Sequence, residues 1–348
     1  MKKRIICILM VFFILSSSIV TFAESQVDVG SFVHVNEKVE LYSEGEAHSE
    51  YVGKSEFSDG MALDVAAQRE ILQELYDSLF DPDAISQNRM ASSNHINFLA
   101  STNDGRIHVS LFDNTDAALK KEILSLPGID SDIVEFIEFE ITWIGPKMAT
   151  EAEIAQMEAL GDGEMVIPFS GHNIRMGSTI FSQGGWWTMG PPANTAGTAF
   201  YTATHGRLRP NDNVTMGGVS LARVWSTAFG GRADVARVNF NAGNHIVHSL
   251  SNIRGSRPPL LTTVTAHTAF SGNVSGRVIY NDISLSGNGV HLQDAIAVHM
   301  RTQTGDSGAA LVNSANAAVG VLSFGAEIFV DGRWQQLTVF TNMHNIHI

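Results

Sequence analysis

The sequence predicts an all-β domain of short antiparallel strands, a barrel or a sandwich, standing behind a mixed α/β leader. Three observations predict it. First, charge divides the chain: residues 1–166 of the 348 hold 11 basic and 29 acidic side chains, a formal -18, whereas residues 167–348 hold 11 Arg, no Lys and 7 acids, a formal +4. Second, helical periodicity fades beyond residue 166, and short β-rich runs separated by Gly, Asn and Ser follow at close intervals. Third, Ile328-Phe329-Val330, then Asp331-Gly332, then Trp334 to Phe340 reads as a hairpin, because Asp-Gly tolerates the positive φ that a two-residue type I′ turn needs. A chain of this length, 44% hydrophobic and 17% charged, is globular and exceeds one small module.

At the N-terminus, Lys2-Lys3-Arg4 precedes an apolar run from Ile5 to Val20, and Thr21-Phe22-Ala23 places small residues before a cut at Glu24. That is the pattern of a secretory signal, and the run falls short of the roughly 20 apolar residues of a membrane span. The expectation is therefore a signal peptide over 1–23 and an extracellular product with no membrane attachment once it is cut. The only cysteine, Cys7, lies in the removed segment, so stability must come from packing and not from disulfides.

In the leader, Leu63 to Phe80 has helical spacing, Ile107 to Phe112 reads as a strand, and Asp116 to Leu126 as a helix stopped by Pro127-Gly128. Ile133 to Ile141 alternates apolar and acidic residues as a half-exposed strand would. Thr150 with Glu153 forms a capping box for a helix through Leu160, and Gly161-Asp162-Gly163 is a linker. The reading divides the chain into a signal (1–23), an acidic leader (24–166) and a β domain (167–348). In the β domain, strands are expected at Phe200–Thr204, Val235–Phe240, Gly276–Tyr280, Ala295–Met300, Ala309–Val312 and Ala318–Phe324. No basic stripe interleaved with aromatics is present, which argues against nucleic acid as a partner.

The residues with the most chemistry are Gly305-Asp306-Ser307-Gly308, set between strands. A serine hydroxyl needs a base to take its proton, and the Gly305 and Ser307 N–H groups are candidates for stabilising an oxyanion. The candidate base is His205, where the strand Phe200 to Thr204 opens into a loop. The third member is Asp234, at the start of a strand, preferred over Asp212 in its exposed Pro-Asn-Asp-Asn turn. The order His, Asp, Ser distinguishes one serine-hydrolase architecture from those that run Asp, His, Ser or Ser, Asp, His.

Thr-Ala-Thr-His205, Ala-Asp234-Val-Ala, Gly-Asp-Ser307-Gly and Val321-Leu322-Ser323-Phe324-Gly325 resemble the four signature segments of chymotrypsin-like serine proteases. The compact size, the signal and the long leader are more similar to the bacterial secreted streptogrisin and α-lytic branch. The resemblance implies two antiparallel β-barrels, a secreted endopeptidase cleaving peptide or protein substrates, and a leader that assists folding and inhibits the enzyme until removed. It implies that Ser323, Phe324 and Gly325 pair with substrate backbone, and that His299 to Thr304, with Arg301 and Thr304, forms the other pocket wall. An inward Arg301 would favour acidic residues before the scissile bond and make Glu164 a self-processing site. By the same resemblance Asp306 orders the oxyanion loop by pairing with a cation, for which a freed α-amino group or Arg277 are candidates. Ala309 replaces a usual glycine, and Gly206 stands where the family carries a cysteine. The product is expected to act as a monomer with no metal and no cofactor; the pairs His245/His248 and His344/His347 lack a third ligand. Two other classes remain in view: an inactive secreted β-barrel binding protein, and an α/β-hydrolase esterase using Ser307, Asp331 and His344.

Overall fold

A computed structural model of the protein describes residues 59–78, 96–161, 174–287 and 289–348. The expected signal segment, most of the linker and Glu164 lie outside the described residues. In the β domain, strands β12 (Thr263–His267), β15 (Ala310–Asn313), β16 (Ala318–Val330), β17 (Arg333–Asn342), β14 (Val290–His299) and β13 (Asn273–Gly287) are hydrogen-bonded in that order. β12 also pairs with β13, so the six close into an antiparallel barrel. Its interior is apolar, built from Val264, Val278, Ile296, Val298, Leu311, Leu322 and Phe340, every one buried.

That is the second barrel in chain order; the first is made by β7 (Gly185–Thr188), β6 (Thr179–Ser182), β9 (Asn213–Met216), β10 (Val219–Gly230), β11 (Ala233–Phe240) and β8 (Ala199–Thr202). The segment following β7 closes it onto β8: Gly190 N–H donates to Tyr201 O at 2.9 Å and Tyr201 N–H to Pro191 O at 2.9 Å. Ile180, Trp187, Phe200, Val214, Leu221 and Val238 fill this ring. The two antiparallel barrels agree with the expected fold. They are not the doubly wound parallel sheet that the esterase reading requires. The C-terminal hairpin also forms as expected: Val330 pairs with Arg333, and the two turn residues have φ of +53° at Asp331 and +74° at Gly332.

The leader does not stand apart from the barrels. Strands β1 (Ile96–Ser101), β2 (Ile107–Leu111) and β3 (Val134–Phe136) extend the second barrel's sheet outward from β13, with Phe98 opposite Leu285. Helix α1 (Asp59–Ser78) covers one face, burying Leu72 and Tyr76 with Ile96, Leu99, Ile107 and Val109. Helix α2 (Ala117–Leu124) begins at Asp116, whose side chain accepts from Leu119 N–H at 2.9 Å. The single strand expected over Ile133 to Ile141 is broken in two at Ile137, and its second part, β4 (Glu138–Ile144), leaves its neighbours to pair with β16. Phe139 and Ile141 on that strand share one core with Tyr280, Leu285, Phe324 and Val339 of the barrel. β5 (Lys147–Met148) then pairs with β7, and helix α3 (Glu151–Gly161) starts at the expected capping box: Thr150 N–H donates to Glu153 Oε2 at 2.7 Å, and Glu153 N–H to Thr150 Oγ1 at 3.3 Å.

Candidate active site

Asp234 opens β11 and is buried, and its carboxylate collects the loop that follows β8. Oδ1 accepts from His205 N–H at 2.7 Å and from Thr204 N–H at 3.2 Å. The Asp234 N–H donates to Thr341 Oγ1 at 3.0 Å, and Thr341 Oγ1 is 3.1 Å from Ser323 Oγ, so the acid is tied to β16 and β17 of the other barrel. His205 holds a left-handed φ of +46°, a state uncommon outside glycine but accessible to histidine, and these two amide bonds hold it in place. Its Nδ1 lies 2.9 Å from Asp234 Oδ2 with both side chains nearly fully buried. The two atoms touch off the hydrogen-bond axis, and Nε2 has no hydrogen-bond partner among the described residues. Trp187 stacks on the imidazole, centroids 5.5 Å apart and 16° from parallel. Asp212, the competing acid, accepts from Arg209 N–H at 2.7 Å in an exposed turn.

Ser307 lies on the loop between β14 and β15, and the first barrel clamps that loop through Thr188. Thr188 N–H donates to Ser307 O at 2.9 Å, and its hydroxyl to Gly305 O at 2.9 Å. The glycine after the serine is required by space: a Cβ on Gly308 would sit 2.0 Å from Thr202 Oγ1 and 2.4 Å from Thr188 O, at a φ of +96°. Ala309, where the resemblance led to an expectation of glycine, is wholly buried in the second barrel's core, so its methyl is used as packing. Gly206 is likewise accounted for, with the Phe229 ring 3.2 Å from where its Cβ would lie.

The cation expected beside Asp306 is absent among the described residues. Oδ1 accepts from Phe270 N–H at 2.9 Å and Ser271 N–H at 3.2 Å, and Oδ2 from Gln303 N–H at 3.0 Å and from the Ser271 hydroxyl. Four neutral donors meet the demand of a buried carboxylate that an ion pair was expected to meet, and Arg277 is exposed on β13 instead. Arg301 and Thr304 are also exposed, on the stretch leading to Gly305. Between them Thr302 Oγ1 is 2.9 Å from Thr338 Oγ1, a hydroxyl pair that sequence reasoning did not single out.

What occupies the site is the leader. β4 runs antiparallel on the strand expected to hold substrate, with Ile144 opposite Phe324 and Trp143 opposite Gly325. A Cβ on Gly325 would fall 2.0 Å from Trp143 Nε1, so only glycine admits that indole. The Ser307 hydroxyl donates to the Gly145 carbonyl at 3.0 Å, and not to His205. The structure thus brings His205 and Asp234 together, sets Ser307 on an adjoining loop, and places Ser323, Phe324 and Gly325 along the cleft under the leader. No group of three or more metal-ligating side chains gathers among the described residues.

No protein-family model and no curated protein matches the sequence. Among solved structures, the chain is similar to a chymotrypsin of Cellulomonas bogoriensis (20% identity, TM-score 0.41, covering 49% of this chain and 92% of that one). It is also similar to protease A of Thermobifida fusca (18%, 0.41, 49% and 91%) and to a Nocardiopsis protease (19%, 0.41, 49% and 93%).

Proposed function

We propose that the chain is the precursor of a secreted serine endopeptidase, with residues 1–23 a signal, 24–166 a leader that inhibits, and 167–348 the catalytic domain. The observation that carries this is the contact of His205 Nδ1 with Asp234 Oδ2 at 2.9 Å in a buried cleft between two barrels, beside a loop bearing Ser307. In the reaction His205 takes the Ser307 proton through Nε2, which requires the hydroxyl to turn away from Gly145 O. Ser307 attacks the peptide carbonyl, and His205 returns the proton to the leaving amine. Asp234 keeps the imidazole in the tautomer with Nε2 open and stabilises its cation. Gly305 N–H and Ser307 N–H stabilise the oxyanion, the second fixed because its peptide plane is held by the bond from Ala309 N–H to Asp306 O at 3.0 Å. Ser323, Phe324 and Gly325 take substrate backbone by strand addition, the mode in which β4 lies there. Thr304 and the exposed Arg301 border the approach to the bond, and an acidic residue preceding it would meet the guanidinium.

The test is covalent labelling of the secreted, processed product with a fluorophosphonate. A single adduct on Ser307, lost in Ser307→Ala and His205→Ala together with casein hydrolysis, is expected. A processed product that neither labels nor cleaves casein would end the reading. Cleavage of a peptide library tests the acidic preference, and dominant cutting after Phe, Leu or Arg would remove it.

A further inference from the structure

We propose that Gly145–Pro146 is a decoy scissile bond, offered to Ser307 in substrate register and built to resist hydrolysis. The proposal rests on Ser307 being the nucleophile and goes beyond it, naming the one bond through which the leader would silence the site. Upstream of Gly145, Glu138–Ile144 is hydrogen-bonded to β16 of the second barrel. Downstream, Lys147 pairs with Trp186, Met148 with Gly185, and Ala149 N–H donates to Gly184 O at 3.0 Å, all on the first barrel. The chain therefore crosses the cleft anchored at both walls, with a left-handed residue, Gly145, at the crossing. At the crossing point the carbonyl against the Ser307 hydroxyl belongs to Gly145, so the bond presented is the one to Pro146. Three glycines admit the strap. Gly325 receives the Trp143 indole, Gly185 receives the Pro146 ring, whose Cγ lies 2.7 Å from where a Cβ would be, and a Cβ on Gly305 would lie 2.6 Å from the Phe270 ring and 3.1 Å from the Lys147 Cβ.

The proline blocks turnover, and the resting hydrogen bond of Ser307 only delays it. Gly145 has a φ of +104°, and its carbonyl oxygen accepts the hydrogen bond of the Ser307 hydroxyl, which points that hydroxyl away from the imidazole until it turns. Pro146 has a ring carbon on the nitrogen that would have to leave, where an ordinary residue has only hydrogen; the nitrogen keeps the lone pair that His205 would protonate, and the ring crowds the approach to it. Nothing among the described residues lies within 4 Å of where a Gly145 Cβ would point, so it is the left-handed φ and not crowding that favours glycine there.

Pro146→Ala in the full chain is the test, with Pro146→Ser as a second replacement. Removing the ring should allow water to be added across the bond, leaving a carboxylate on Gly145 and an amine on residue 146. Intact-mass analysis should find fragments ending at Gly145 in both variants, none in the native chain and none when Ser307→Ala is added. Variants that melt as the native chain does and stay uncut between 145 and 146 overturn the proposal. Fluorophosphonate labelling of the same variants after the leader has been removed then separates the causes: label on Ser307 shows an active nucleophile and a wrong register, and absence of label takes the protease reading down as well.

Discussion

The phenol oxygen of Tyr76 lies 3.1 Å from Nδ1 of His291, joining α1 of the leader to β14 of the second barrel. The rings are stacked 15° from parallel, and the same oxygen is 2.5 Å from Ser286 Oγ. Burial pushes the His291 imidazole down to about 4, with Asp77 opposing only weakly. His108 on β2, whose Nδ1 is 2.7 Å from Tyr280 OH, is lowered by burial as well, with Glu135 pulling the other way. A histidine held neutral in the folded state and protonated near 6.5 when released contributes fully above that value. Its contribution falls as pH drops from about 6.5 toward about 4. The full chain should therefore melt lower at about pH 5 than at about pH 7 in buffers of equal ionic strength, and His291→Gln should shrink the difference. Equal shrinkage absent in that variant would remove His291 as a source.

Truncating the phenol alone should cost little. In Tyr76→Phe the stack survives, and Ser286 Oγ and His291 Nδ1 still meet at 3.1 Å, so no buried group is orphaned. A loss of about 1 kcal/mol is expected, against about 2–5 kcal/mol for Leu72→Ala beside it, both read from urea unfolding of the full chain.

Asp234→Asn should separate chemistry from folding. An asparagine oxygen can still accept from the Thr204 and His205 amides, so the loop keeps its anchor. The charge and the tautomer control are lost. A fall in kcat of about 10⁴ with a melting temperature close to native is expected for the processed enzyme.

Gly308→Ala should fail by sterics. The methyl would meet both Thr202 Oγ1 and Thr188 O at under 2.5 Å with φ at +96°, a combined cost of about 3–5 kcal/mol. Gly332→Ala, also left-handed at φ +74° but with nothing within 4 Å, should cost about 1 kcal/mol. The difference in melting temperature of the two variants checks the pair.

Signals carried by a few adjacent residues were legible in the sequence. Asp331-Gly332 needs no distant partner to dictate its turn, and the Thr150–Glu153 box is closed within four residues. The proximity of His205 and Asp234 was legible because each lies at or just beyond a strand end with distinctive neighbours. The destination of β4 was not: its apolar and acidic alternation predicts a strand, but its partner Phe324 lies 180 residues further on, and nothing local encodes that pairing. The Trp187 stack and the Thr188 clamp on Ser307 were missed for the same reason. The charge asymmetry does not map simply onto the contact between leader and barrel: one ion pair that crosses it has Arg69 on the leader and Asp282 on the barrel, 3.8 Å apart, opposite in sense to the overall imbalance.

The strand that crosses the cleft is covalently continuous with the barrels beyond it. While that continuity lasts, Gly145 faces Ser307 at an effective concentration of millimolar order, and no dilution of the sample weakens the contact. A cut anywhere between Gly161 and Ile174 would make the same contact bimolecular. From then on the occupancy of the cleft would depend on how much volume the fragments are released into, and a crowded compartment would keep silent what an open medium sets free.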